Sequence, residues 1–493
     1  MKIRSGWFVF VLFTLLSGCG GGGGGGGGDS GDTIDPPVTP PPTGGIGRTG
    51  VAIGPIATFG SIVVNGVRYD TSEASFLVNG EAGRQSDLRV GDVVVVEGTL
   101  DDDGVNGTAD TVTFEEAVKG PVQEVDLGLG RLVVLGQTVF VTPDTSFDDS
   151  FSPPSLEGVS ENQIVEVSGQ FDANGDVVAT RIEPKPAGTA FEVHGTVTAL
   201  DTANARFNLS GLVVDYSAAT LDNFESGQIR EGDPVEAKAT ALGAAGELLA
   251  TSVEFEARVP DVSEDDFAEI QGFIDRFVDA GDFSVAGFDV ATTAQTVFEG
   301  GSAADLGLNV KVEVEGTFDS SSTLVASKVD IRRAKAVRIT ASLDSVDAAS
   351  DSVAVLGITV AIDALTRLED KSDARVEPLT VAALNAGDYV EVRGDEFPAG
   401  SGRILATIFE RDDPDNEAIL QGFVENIGNP TLSILGVSIE TSGATVFRDE
   451  NDVVISGADF FARLAEGDLV KAKGSEVTDT TIVAEEVEFE LEF

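Results

Sequence analysis

From about residue 50 to the C-terminus the chain repeats one pattern six times, at intervals of about 70–80 residues, and that limits the fold more than any other feature. The first marker is a glycine between two short apolar segments: Val64-Asn65-Gly66-Val67, Val134-Leu135-Gly136-Gln137, Leu209-Ser210-Gly211-Leu212, Val285-Ala286-Gly287-Phe288, Val355-Leu356-Gly357-Ile358 and Ile434-Leu435-Gly436-Val437. A second marker, a turn and a strand, follows roughly thirty residues later. It begins Gly91-Asp92, Gly232-Asp233, Gly387-Asp388 and Gly467-Asp468, with Asn162-Gln163 and Asn309-Val310 in the second and fourth copies. Each copy also opens near a small residue: Gly54, Gly120, Gly195, Gly272, Ala341 and Gly422.

Within a copy, apolar and polar residues alternate with the period of half-buried strands. The third copy reads as strands over 191–200, 205–211, 212–218, 234–242 and 248–257, with a less regular stretch between the third and fourth. Asp172 to Gly175 has the composition of a tight turn, and residues 458–464 and 379–384 suit short helices. Three strands, a loop or short helix and two more strands is the order of an OB-type Greek-key barrel, whose closure removes exposed edges. Immunoglobulin-like sandwiches need more strands and longer copies. The expected fold class is therefore all-β, a tandem array of six small OB-like barrels over residues 51–117, 118–188, 189–260, 266–334, 335–413 and 417–493. So small a barrel has a thin core, so neighbours are expected to pack end to end and share burial.

Apolar residues are 42% of the chain, enough for real cores. The charge balance is extreme, with 31 Lys+Arg against 84 Asp+Glu and a net charge of −53. Such a surface repels phosphate backbones, so no nucleic-acid partner is expected, whatever OB barrels do elsewhere. Cations and cationic partners suit it better.

Residues 1–18 combine a basic start at Lys2 and Arg4, an apolar run from Trp7 to Leu16 too short to span a bilayer, and small residues before the lone cysteine, Cys19. Leu16-Ser17-Gly18-Cys19 resembles the bacterial lipobox, which implies lipidation of Cys19 and removal of 1–18 as a signal peptide. Loss of Lys2 and Arg4 would take the net charge from −53 to −55. Gly20 in place of an aspartate after the cysteine implies an exported, lipid-anchored protein of the outer membrane, on its periplasmic face or the cell surface. Residues 19–50, with unbroken glycine from Gly20 to Gly28 and then a proline-rich stretch, read as a tether. No strand precedes that run and no Lys-Ser/Thr follows it, so it is not a phosphate loop.

The chain resembles bacterial proteins that carry the domain of unknown function 5666. The resemblance rests on the strand–Gly–strand marker, the Gly-Asp strand, and Thr145-Ser146-Phe147, Thr296-Val297-Phe298, Thr366-Arg367-Leu368 and Thr445-Val446-Phe447. It also rests on the closing runs Ala179-Thr180-Arg181-Ile182-Glu183 and Ala484-Glu485-Glu486-Val487-Glu488. It covers nearly all of the mature chain; the first and third copies depart from the Thr-x-Phe pattern. The family brings no assigned activity or site residues.

Chemistry is sparse. His194 is the only histidine, and the other copies carry Ile53, Lys119, Gln271, Thr340 and Gln421 at its position, so it reads as structural or solvent-facing. With one histidine and one cysteine, nucleophile triads and thiolate or multi-histidine zinc sites are hard to assemble, and no catalytic residue or cofactor is expected. Calcium is the one inorganic option, at the acidic runs Asp101 to Asp103, Glu264 to Asp266 and Asp412 to Glu417, though none matches an EF-hand loop. The expected function is a non-enzymatic, membrane-anchored envelope or cell-surface lipoprotein whose barrels bind an envelope protein or polysaccharide. The alternatives are an architectural spacer or adhesin stalk with calcium-stiffened junctions and, more distantly, a carboxylate-dependent hydrolase. A binding module should share exposed residues among its copies, whereas a stalk should share only core and turn residues.

Overall fold

The computed structural model describes residues 48–490, apart from 225–226, 257–261, 333–335, 398–400, 451–452 and 479. Residues 1–18, read above as a signal peptide, and residues 19–47 of the stretch read as a tether, Cys19 included, lie outside the described residues. Among the described residues no helix is long and apolar enough to cross a membrane.

Barrel 3 shows the common plan. Its opening strand, Phe191–Asp201, pairs with Pro234–Leu242 through its first half and with Arg206–Leu209 through its second. Leu212–Asp215 turns back from Arg206–Leu209 and runs parallel to Leu248–Phe255, which closes the ring against Pro234–Leu242. The ring order first-second-third-fifth-fourth is the OB-type Greek key. A further short strand, Thr220–Asp222, lies along the closing strand. The same ring recurs in all six barrels. Their strands run over Arg48–Phe114, Val118–Pro184, Phe191–Phe255, Phe267–Arg332, Val337–Asp412 and Glu417–Phe489. The first strand thus begins at Arg48, inside the stretch read as tether. The helix expected over 458–464 is Gly457–Arg463; that over 379–384 is a single 3₁₀ turn, Val381–Ala383.

The barrels are not stacked end to end. In its first half an opening strand is paired on one edge only, and an unpaired edge seeks a partner. The opening strands of barrels 2 and 3 meet antiparallel on those edges, with Val118 opposite Val193, and those of barrels 5 and 6 likewise, with Ile339 opposite Leu420. Each facing pair joins equivalent residues of two repeats, so each pair of barrels has a local two-fold. One apolar core runs through barrels 2 and 3, including Phe207, Leu209 and Leu132, and another through barrels 5 and 6, including Phe409 and Phe460. Burial is thus shared, as expected, but side by side. Barrel 1 skips its sequence neighbours and pairs parallel with barrel 4, Gly50 to Ile53 against Phe267 to Ile270.

Buried polar contacts then join barrels 2 and 5. The Arg393 guanidinium donates to Pro143 O and Thr145 O at 2.9 and 2.6 Å, Arg367 donates to Thr180 O at 3.2 Å, and the Lys371 ammonium donates to Phe147 O at 3.0 Å. Arg181 of barrel 2 reaches both Val90 O of barrel 1 at 3.1 Å and Glu369 of barrel 5 at 3.3 Å. Gln170 of barrel 2 donates to Gln271 O of barrel 4 at 2.6 Å.

Candidate functional site

The residues that the repeats share serve the fold. Five of the six glycines in the strand–Gly–strand marker have positive φ, as does the residue before each of the six. That is the two-residue hairpin whose twist matches the flanking strands. At the second marker the turn residue is also left-handed, which explains why asparagine, the side chain most tolerant of that region, replaces glycine at Asn162 (φ 67°) and Asn309 (φ 65°). The following carboxylate closes the turn: Asp92, Asp233, Asp388 and Asp468 accept the N–H three residues back at 2.7–2.9 Å. The threonine of Thr-x-Phe clamps the closing strand, Thr145 to Ala179 O, Thr296 to Ala326 O, Thr366 to Ala406 O and Thr445 to Ala484 O, at 2.7–2.8 Å. None of these groups is left over for a ligand.

Chemistry gathers instead where barrels meet. Barrels 1 to 4 surround a cleft of about 1100 Å³. Barrel 1 and its connector supply Val93, Val95 and Glu115; barrel 2 supplies Phe171 and Asn174; barrel 3 supplies His194, Glu236 and Glu256; barrel 4 supplies Gln271 and Asp275. Eight carboxylates line it (Glu115, Glu116, Asp172, Glu236, Glu254, Glu256, Asp275 and Asp289), against His194 and Arg276, and Arg276 is already paired with Asp282 and Asp289 at 2.7 Å. His194 stands on the opening strand of barrel 3 at 8% exposure. Its Nδ1 lies 2.8 Å from Glu256 Oε2 and its Nε2 3.8 Å from Glu236 Oε1. Burial disfavours the imidazolium, but the hydrogen bond to Glu256 and the charges of Glu256, Glu236 and Glu115 outweigh that and push its pKa up to about 9. Behind it Lys238 pairs with Glu236 at 3.0 Å, and Lys119 joins Glu116 and Glu192 at 2.6 and 2.8 Å. Burial, and then a hydrogen bond shared with Glu192, pushes the Glu116 carboxyl up to about 8.

The family model described as "Domain of unknown function (DUF5666)" matches residues 52–112, 119–183, 194–254, 271–330, 338–408 and 421–488, one match in each barrel. The chain belongs to the DUF5666 family. No curated protein matches the sequence. Among the similar solved structures are two of the single-stranded DNA binding protein from Thermus aquaticus. The wild type is 11% identical over 33% of this chain and 95% of that one, with a TM-score of 0.16; the deletion mutant delta 228-252 R190A is 12% identical over 33% and 97%, with a TM-score of 0.15. Likenesses this slight carry no argument about ligands.

In this DUF5666 chain, then, His194 is buried and ion-paired. Comparing copies by position hides its surroundings, because Glu115 and Glu256 occupy equivalent places just past the closing strands of barrels 1 and 3, and only the packing of those barrels brings both to one imidazole. Alternating Glu residues were visible in the sequence, but nothing in it marks which of them converge. In each acidic run at least one carboxylate has a partner of its own. Asp103 accepts from Val105 N and from the backbone and side chain of Asn106; Asp266 accepts from Ser263 N and Thr49 Oγ1; Asp413 accepts from Asp373 N; and Glu417 pairs with Lys473 at 3.1 Å. A second group of converging carboxylates, Glu269, Glu313 and Glu315 in barrel 4, is balanced by Arg332 on Glu313 at 3.0 Å and Lys328 on Glu315 at 2.7 Å.

Proposed function

We propose that the protein is a non-enzymatic envelope lipoprotein, anchored through Cys19 at the outer membrane, that binds a cationic protein segment or polymer in the cleft that barrels 1 to 4 surround. One observation carries this reading: four barrels together wall the cleft, and eight carboxylates face two cationic side chains on its walls. Like charges held together at the mouth of a half-enclosed space focus a negative potential, which draws and orients a positive partner. The interlocking of barrels 1, 2, 4 and 5 supports a binding body more than a file of spacers, since a stalk needs no contact between barrels 2 and 5.

The test is site-specific crosslinking in cells. A photoreactive residue in place of Thr198, on the cleft wall, is expected to capture a discrete partner. The same residue in place of Ser438, on barrel 6, is expected not to. Capture at neither position, under conditions that trap known envelope complexes, would favour the spacer.

A further inference from the structure

We propose that Glu115, His194 and Glu256 form a binding site for one divalent transition-metal ion of the zinc class on the wall of this cleft. The proposal concerns the same cleft but does not rest on a partner occupying it. One donor atom from each residue, a ring nitrogen and two carboxylate oxygens, lies within 4.8 Å of the others. Tetrahedral coordination at 2.0–2.2 Å brings ligand atoms to roughly 3.4 Å from one another. The contraction is small. His194 Nδ1 and Glu256 are already closer than that, Glu256 is half-buried and Glu115 is exposed, so both carboxylates have room to swing inward.

The far side of the ring is arranged to orient it. His194 is more than nine-tenths buried, yet its Nε2 has no hydrogen-bond partner. Glu236 Oε1 stands 3.8 Å beyond that nitrogen, held in place by Lys238. Metal-bound histidines almost always give their other ring N–H to a carboxylate, a backbone carbonyl or water, which fixes the tautomer that leaves the first nitrogen's lone pair free. Here Nδ1 would take the metal and Nε2–H would turn to Glu236. On binding, the ion replaces the proton between Nδ1 and Glu256, and that proton leaves to water. Two carboxylates and a neutral imidazole then balance a doubly charged ion.

The donor set decides the class. Calcium and magnesium prefer oxygen-only shells, whereas an imidazole with two carboxylates suits zinc, cobalt or nickel. Three protein ligands leave a fourth position facing the cleft for water.

The experiment is calorimetric titration of the chelator-treated full mature chain with Zn²⁺ and with Ca²⁺, at fixed pH and 150 mM NaCl, alongside the visible spectrum of the Co²⁺-loaded protein. The expected result is one Zn²⁺ per chain, a four-coordinate Co²⁺ spectrum, and Ca²⁺ at least a hundredfold weaker. Glu256→Gln, at a half-buried position that does not threaten folding, should weaken Zn²⁺ at least tenfold, and His194→Gln should abolish the site and the cobalt spectrum. Absence of stoichiometric Zn²⁺ binding, or equal binding of Zn²⁺ and Ca²⁺ that survives in Glu256→Gln, would overturn the proposal. Crosslinking at Thr198 with and without chelator separates the two readings, because partner capture without any Zn²⁺ site would sink this inference and leave the binding function standing.

Discussion

Asp92 immediately precedes the fourth ring strand of barrel 1, Val93–Leu100, at only 5% exposure, and its carboxylate accepts the Arg89 N–H at 2.7 Å. Its equivalents Asp233, Asp388 and Asp468 make the same bond but are only half-buried. Asp92 differs because barrel 2 covers it, with Ser168 Oγ accepting the Val93 N–H and Arg181 donating to Val90 O. Burial outweighs the attraction of Arg181 and pushes the Asp92 carboxyl up to about 7. A carboxyl whose folded pKa lies above its unfolded value of 3.8 binds its proton more tightly in the folded state. Stability is therefore lost as pH rises from about 4 through about 7. Asp92→Asn keeps an acceptor for Arg89 and cannot ionise. It should therefore raise stability by roughly 2–4 kcal/mol at pH 8 and change it little at pH 4, read as the shift in urea midpoint at the two values. Equal shifts at both would show that Asp92 is not buried in ionised form. The sequence marked this aspartate as a turn residue, since Gly-Asp recurs in four copies. Its burial was not legible, because that depends on a barrel that is not part of the turn.

The strand–Gly–strand hairpin is the element on which both local folding and barrel pairing turn, and the two roles can be separated. In barrel 6 the turn glycine Gly436 has φ +77° and nothing within 4 Å of where a Cβ would stand. In barrel 2 the equivalent Gly136 has φ +70°, and its Cβ would meet Gly211 C and Leu212 N, in the matching hairpin of barrel 3, at 2.8 Å. There the Gln137 amide also donates to Leu209 O at 3.0 Å across the junction. Gly436→Ala should cost only the left-handed backbone term, about 1–2 kcal/mol. Gly136→Ala should cost that plus about 1–3 kcal/mol for a clash with backbone that cannot step aside. Thermal melts of the two variants check the difference, and equal losses would mean that barrels 2 and 3 do not meet through these hairpins. At this scale much was legible. Alternation and turn residues located the five principal strands of barrel 3 to within a few residues, because each strand's pattern is set by its own pleat and its own turns. Pairing between barrels was not, because an unpaired strand edge has no sequence signature that names its partner.

For the whole molecule, a net charge of −53 poses two electrostatic problems that respond differently to salt. Surface carboxylates repel one another through water, and that repulsion is screened as the Debye length falls from roughly 30 Å at 0.01 M to about 8 Å at 0.15 M. Barrels 2 and 5 instead spend several of the few basic residues in a buried seam that includes Arg181, Arg367, Lys371 and Arg393, none more than 8% exposed. Arg393 holds Glu391 through its Nε at 2.5 Å while donating across the seam to Pro143 O and Thr145 O. Burial works against an ionised Glu391, but Arg338 and Arg393 more than offset it and hold the carboxyl below the usual range. Removing Arg393 leaves Glu391 with Arg338 alone as counter-ion and takes the donor from Pro143 O and Thr145 O, a loss of up to about 3–5 kcal/mol. Arg393→Ala should lower the melting temperature accordingly at pH 7. A depressed carboxyl contributes stability above its unfolded pKa and loses it as pH falls, so the deficit should shrink below about pH 4. Raising NaCl from 0.01 to 0.15 M should stabilise wild type and variant alike and leave their difference nearly unchanged, because buried pairs are screened far less than surface charges. A difference that vanished in salt would place these groups in water and unlock barrels 2 and 5, and with them the enclosure that barrel 2 gives the acidic cleft. Charge composition alone could not foretell this seam, because a count of acids and bases says nothing of where so few cations are buried.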